Sequence, residues 1–456
     1  MKRRRFLQRA SAAGAGAAMG SVYTLLTEGA ARCDPADDYK ALVCVFLQGG
    51  LDNHDTLLPY DAPSYAEFSR IRRDLLRTYE TPRSQDALLP LTTEAGQFGG
   101  RQFGLPPEMT GLKSLYDGGQ AAIIANVGPL IEPVTRRSYE DRTARLPSRL
   151  FSHNDQQSTW MAGAPEGAQY GWAGLFADAM RDRNGAPEFS AITGGGNDLF
   201  VTGERTAPYQ VPPSGAIEVE WVRQQEGPLQ AVLREHLRSL PSSDRSLLEQ
   251  DLGRAGRQAF DANARFNQAS GDAPEFRTEF PESGIGGQLR AVSQSIAARR
   301  SLSVGRQVFV VGMGGYDTHS SQARNLPSLQ ARLDAGILAF SRAMEELGLS
   351  QQVTLFTASD FGRTLAVNDD GTDHGWGGHH FVVGGAVRGG KVFGDLPEVA
   401  LGHSLDAGNG RLIPTLAVEQ MAAPLGRWFG LDETRLNRAL PRLGQFTSPL
   451  PAFLAG

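Results

Sequence analysis

Residues 352–383 read QVTLFTASDFGRTLAVNDDGTDHGWGGHHFVV. The opening QVTLFTA is apolar and rich in β-branched residues, the composition of a strand buried on both faces. Residues 359–380 then crowd together four aspartates, one arginine and three of the chain's eight histidines. Glycines scattered through this stretch exclude a continuous helix and let the backbone fold closely around something. A solvated loop would explain the polarity but not the imidazoles. The stretch reads as a metal or catalytic loop at the end of a buried strand.

Working outward, the same alternation recurs along the chain. Apolar runs at 41–50 (ALVCVFLQGG), 121–128 (AAIIANVG), 189–195 (FSAITGG), 307–315 (QVFVVGMGG) and 379–387 (HHFVVGGAV) read as strands. Between them GLKSLYDGGQ, AQYGWAGLFADAMRD, the segment from Pro228 to about Ala269, GQLRAVSQSIAARR and LQARLDAGILAFSRAMEELGL carry helical patterns. Strands alternating with helices predict an α/β fold with a largely parallel sheet covered on both faces. No internal repeat, low-complexity tract or Pro/Ser linker divides the chain. A helical excursion is expected at about 228–300, with 270–285 as its flexible polar part.

The polar clusters all follow strands. GGLDNHD follows the first, GGYDTH the strand at 307–313, and SDFGR…DHGWGGHH the strand at 353–357. In open α/β sheets ligands bind where loops gather at the carboxyl ends of strands. Asp52, Asp317, His319, Asp360 and His374 are therefore expected at one edge. Each alone reads as a cap or turn residue. Together they supply the carboxylates and imidazoles that bind Zn²⁺ or Mn²⁺.

The N-terminus, MKRRRFLQRASAAGAGAAMGSVYTLL, places a basic head before a small, weakly apolar stretch, the layout of a secretory signal and not of a membrane span. Paired Arg3 and Arg4 ahead of Phe6 and Leu7 resemble a twin-arginine export signal. Cleavage near Ala31 is expected, with a periplasmic or secreted product and the twin-arginine machinery as a partner. Residues 1–31 carry five basic residues and Glu28, a net +4, so a chain of −5 becomes one near −9. That charge offers no basic face to nucleic acid. Two cysteines, Cys33 and Cys44, make no disulfide framework, and Cys44 lies within an apolar strand.

VFLQGGLDNHDTLLPY, FSHNDQQSTW, GGYDTH, ASDFGRT, TDHGWGGHHFVVGGAVRGGKVFGDLP and RLIPTLAVEQMAAPLGRWFGL resemble the DUF1501 family of exported bacterial proteins. The resemblance spans roughly residues 40–447, as a single domain. It implies the alkaline phosphatase-like superfamily, a three-layer α/β/α sandwich with metals at the carboxyl ends of its strands. In that pattern Asp52 is the first metal aspartate, Asp317 and His319 an Asp/His pair, Asp360 the aspartate of a second pair, and His374 a late histidine returning to the first metal. Phe361 stands where these relatives place a histidine, so a ligand is lost unless His54, His379 or His380 replaces it.

Two unequal halves are therefore expected. Asp317, His319 and His374 would form a zinc-type site with Zn or Mn. Asp52 and Asp360, with oxygen ligands only, would hold a harder ion (Mg²⁺, Ca²⁺ or Mn²⁺) weakly or not at all. Ser152 is the candidate nucleophile, at the N-cap of a helix with Asp155 at N3 as in a capping box. His153 is a candidate ligand or acid, or else a surface residue, and Arg363 a candidate grip on an anionic substrate, or else a partner of Asp369 or Asp370. The expected activity is hydrolysis of a phosphate or sulfate ester, on a small anionic ester or glycan. The alternative is a non-catalytic periplasmic protein that keeps the fold, with or without one metal, while binding a glycan or partner.

Overall fold

The computed structural model describes residues 38–195, 198–213, 232 and 246–455. The export-signal reading, Cys33 and residues 228–231 and 233–245 of the helical excursion lie outside the described residues. Among those described, no helix is long and apolar enough to cross a membrane.

A nine-stranded sheet forms the middle layer. Its strands include β1 (Lys40–Leu47), β5 (Ala121–Gly128), β6 (Ala191–Thr193), β7 (Tyr209–Gln210), β8 (Arg306–Met313), β9 (Val353–Ser359), β12 (Gly378–Val383), β13 (Lys391–Phe393) and β14 (Leu416–Ala417), while β2 (Leu58–Pro59), β3 (Leu89–Pro90) and β4 (Phe103–Leu105) form a separate small sheet. The spatial order is β13-β5-β12-β9-β1-β8-β6-β7, with β14 also on β5. β1 lies parallel between β9 and β8, whereas β12 runs antiparallel to both β9 and β5. All the other pairings in the sheet are parallel.

Alternation along each strand sends successive side chains to opposite layers. Val43, Val45, Leu47, Phe309, Val311 and Leu355 pack with the helices Thr110–Asp117, Gly284–Ala297 and Gln322–Glu346. Leu42, Cys44, Phe46, Val308, Val310 and Phe356 face the other way, toward His153–Ala162, Trp172–Ala179 and Val418–Phe429. This is why the strands read as unbroken apolar runs: neither face meets water. The result is a three-layer α/β/α arrangement.

The polar stretch that follows β9 is more ordered than a loop. It forms an antiparallel hairpin, β10 (Arg363–Asn368) with β11 (Gly371–His374), pairing Arg363 with His374. Gly371 sits where a Cβ would come within 2.4 Å of the His319 carbonyl carbon, so only glycine lets the hairpin press on the loop after β8.

Candidate metal centre

Because β9, β1 and β8 are adjacent and parallel, their carboxyl ends open on one edge. Gly49, at φ +114°, turns the chain immediately after β1, and a Cβ there would lie 2.3 Å from the Asp317 nitrogen. The loops after β1 and β8 are thereby packed backbone to backbone.

At this edge one ligand atom each from His153, Asp317 and His374 lie within 4.8 Å of one another. Asp317 comes from the loop after β8, His374 ends β11, and His153 opens the helix His153–Ala162. Asp317 Oδ1 lies 3.2 Å from His374 Nε2, and Oδ2 lies 3.5 Å from His153 Nε2. His319 borders the group, its Nε2 2.8 Å from His374 Nε2 and 3.2 Å from Asp317 Oδ1. The site opens to solvent, with the Asp317 side chain 45 % exposed.

The far side of each imidazole is held. His374 Nδ1 lies 2.7 Å from the Phe151 carbonyl oxygen. A carbonyl only accepts, so Nδ1 carries the proton and Nε2 presents a lone pair. His153 Nδ1 lies 2.6 Å from Asp360 Oδ2, which also accepts from Gln157 Nε2 at 3.0 Å and from the Gly49 amide at 3.2 Å. That hydrogen bond to Asp360 raises the His153 pKa, whereas burial lowers that of His374. Burial opposes ionisation of Asp317, but the hydrogen bond and charge of Arg363, aided by His319 and His153, outweigh it and hold the carboxyl below its usual range. Phe361 floors the site, its buried ring 4.5 Å from that of His374 and 4.9 Å from that of His153. The residue that carries the Phe151 carbonyl has φ +74°, a strained conformation for a phenylalanine and the kind found at functional sites.

Several expectations need correction. Asp52 does not join the group. Its oxygens accept from Arg72 Nη1 at 2.6 Å and Nη2 at 3.0 Å, and from Gln322 Nε2 at 2.6 Å, all without solvent exposure. A guanidinium thus occupies the carboxylate that was expected to meet a cation. Asp360 supports His153 instead of forming an oxygen-only half with Asp52, and its Oδ1 is buried without a hydrogen-bond partner. Arg363 is buried, and its ion-pair partner is Asp317, not Asp369 or Asp370. Its Nη1 donates to Asp317 Oδ1 at 3.0 Å and to the Gly49 carbonyl at 2.9 Å, and its Nε to Thr372 Oγ1 at 2.9 Å. Ser152 is the N-cap residue, but its hydroxyl caps no backbone amide and donates to Asp155 Oδ2 at 3.0 Å. No substitute imidazole comes from the other histidines. His54 Nε2 bonds the Gly410 carbonyl at 3.1 Å, His379 Nδ1 accepts from the Asn126 amide at 3.0 Å, and His380 packs edge-on to Trp160. The imidazole that stands beside Asp360 and Asp317 is that of His153, from a separate helix. The signal for this was its place at a helix start directly after FS, which did not distinguish ligand from surface residue.

The chain belongs to the DUF1501 family, described as "Protein of unknown function (DUF1501)", which it matches over residues 39–440. No curated protein matches it in sequence. Among solved structures it is similar to the PsFucS1 sulfatase from Pseudoalteromonas sp., at 8 % identity over 87 % of this chain and 68 % of that one, with a TM-score of 0.36. It is also similar to Ps i-CgsB in complex with k-i-k-neocarrahexaose, at 8 % identity over 87 % and 74 %, with a TM-score of 0.35.

Proposed function

We propose that the chain is an exported metal-dependent hydrolase of a phosphate or sulfate ester, with one divalent ion held by His153, Asp317 and His374 and with His319 at its edge. One observation carries the metal. With Nδ1 of His374 committed as a donor to Phe151, its Nε2 lone pair faces a carboxylate oxygen at 3.2 Å. His319 Nε2 stands 2.8 Å from His374 Nε2 and 3.2 Å from Asp317 Oδ1, so these converging atoms are bridged either by a His319 proton or by a cation, and a cation is the bridge proposed. Two imidazoles and a carboxylate, each steadied from behind, suit Zn²⁺ or Mn²⁺ and leave a coordination place for substrate.

A bound ion would supply Lewis acidity toward the ester oxygens. The chain's own residues do the rest. Asp360 keeps His153 upright, the Phe151 carbonyl fixes the His374 tautomer, and Phe361 excludes water beneath both rings. Ser152, next to His153, is the nucleophile in this proposal. Its hydroxyl proton already points to Asp155, and both Oγ lone pairs are unused among the described residues. The export element rests on Arg3 and Arg4, and periplasmic accumulation surviving Arg3→Lys with Arg4→Lys would remove it. One observation favours a second reading, a glycan- or partner-binding protein that keeps one ion without catalysis: Arg72 takes up the carboxylate that a second ion would need.

Calorimetric titration of metal-free protein with Zn²⁺ should give one ion per chain. His374→Ala should abolish binding, and Asp360→Asn should weaken it by about 10- to 100-fold. Stoichiometry of two, or binding indifferent to His374, would overturn the site. In a screen of phosphate and sulfate esters, Ser152→Ala should lower turnover by more than about a hundredfold while denaturant midpoints barely move, since no backbone cap is lost. No turnover by a protein that binds the ion selects the second reading.

A further inference from the structure

Burial of Arg363 leaves the anionic part of a substrate without the cation expected for it. We propose that Arg411 is that cation, a specificity-determining residue that binds a phosphate or sulfate oxygen at the rim of the metal centre. This deepens the preceding proposal and rests on its placing the reaction at His374.

Three contacts fix Arg411 at the rim. Its Nε donates to the His374 carbonyl at 2.7 Å, so the guanidinium is tethered to the backbone of a cluster residue. Its guanidinium carbon stands 5.2 Å from the centroid of the Phe151 ring, the same Phe151 whose carbonyl holds His374 Nδ1. Its Nη1 reaches the Gly408 carbonyl at 3.2 Å. Among the described residues Nη2 has no hydrogen-bond partner, and no carboxylate pairs with Arg411, which is only partly buried. It is therefore a cation whose stem and Nε are positioned but whose charge is unpaired, a state that suits a guanidinium awaiting a tetrahedral anion. Arg363, by contrast, gives its charge to Asp317 and to backbone carbonyls.

Inorganic phosphate and sulfate serve as probes, with calorimetry on Zn²⁺-loaded and metal-free protein. Arg411→Gln should weaken phosphate binding to the loaded protein by about tenfold or more, and Arg411→Lys should recover only part, lacking the fork. Zn²⁺ affinity should stay within about threefold of the parent, which a purely structural clamp on His374 would not allow. Phosphate binding unchanged in Arg411→Gln overturns the inference, as does a loss of Zn²⁺ affinity equal to the loss of phosphate affinity. If the parent binds no Zn²⁺, the metal reading falls separately. Phosphate binding that still depends on Arg411 then sustains this inference, and absence of phosphate binding in both forms overturns it.

Discussion

Arg72→Met should destabilise the fold by about 3–5 kcal/mol in chemical denaturation, because it leaves the Asp52 carboxylate buried without its partner. Both side chains are fully inaccessible, and Arg72 also donates to the Leu365 and Thr364 carbonyls, at 3.1 and 2.7 Å. Burial opposes ionisation of Asp52, and the charge and hydrogen bonds of Arg72 reverse that tendency, with help from the Gln322 hydrogen bond. Adding Asp52→Asn to Arg72→Met removes the stranded charge and should recover a good part of the loss. A single variant within about 1 kcal/mol of the parent, or a double variant no better than the single, would show that the pair does not carry this weight.

Mild acid should unfold the protein through its buried histidines. Burial lowers the pKa of His54 and of His380 to about 3, and that of His379 to about 4, from an ordinary 6.5. All three stay neutral in the fold, while the unfolded chain takes up their protons as pH falls below 6.5. Stability is therefore complete above that value and is lost progressively toward pH 4. At 1.36 kcal/mol per unit, each gives up roughly 2 kcal/mol by pH 5. Three together remove an amount comparable to the ~5–15 kcal/mol that holds a typical domain. His153 works in the opposite sense, since its raised pKa favours the fold below 6.5, but its partial exposure screens that contribution. Denaturant titrations between pH 7 and 5 should show the slope, and His380→Leu should reduce it by about one proton. A flat profile over that range would refute the prediction.

The sheet was legible because β1, β5, β8 and β9 are buried on both faces, and burial writes itself into composition. The edge that carries the site followed from the same fact, since Asp317, Asp360 and His374 all come soon after strands. What the sequence concealed was partnership. Arg72 sits in SRIRRDLLR among Arg70, Arg73 and Arg77, whose side chains are 64–70 % exposed. Nothing local marks one arginine of four as the buried one, because its partner lies twenty residues away and its other contacts come from β10. His153 was a named candidate, but its role was hidden likewise: a histidine at a helix start gains its meaning only when Asp360 and Asp317 arrive from loops after other strands. The hairpin β10–β11 was masked by its own glycines and charges, which resemble those of a loop.

The pairing of β1 with β8 and β9 bears on the order of assembly. β1 joins Lys40 to Arg306 and Ala41 to Val353, so its hydrogen-bonded neighbours are synthesised long after it. The β10–β11 hairpin and the β9–β12 pair are local and close quickly, whereas the central strand must wait for distant sequence, a topology that folds slowly. His153 lies on the early side of that gap, and Asp317, Asp360 and His374 on the late side. An emerging chain therefore passes through a stage in which its first strand has no hydrogen-bonding neighbour and its imidazoles are apart. A chain that stops before residue 306 would hold a first strand with no partner from β8 or β9 and only His153 of the three cluster residues, making it a target for chaperones and proteases.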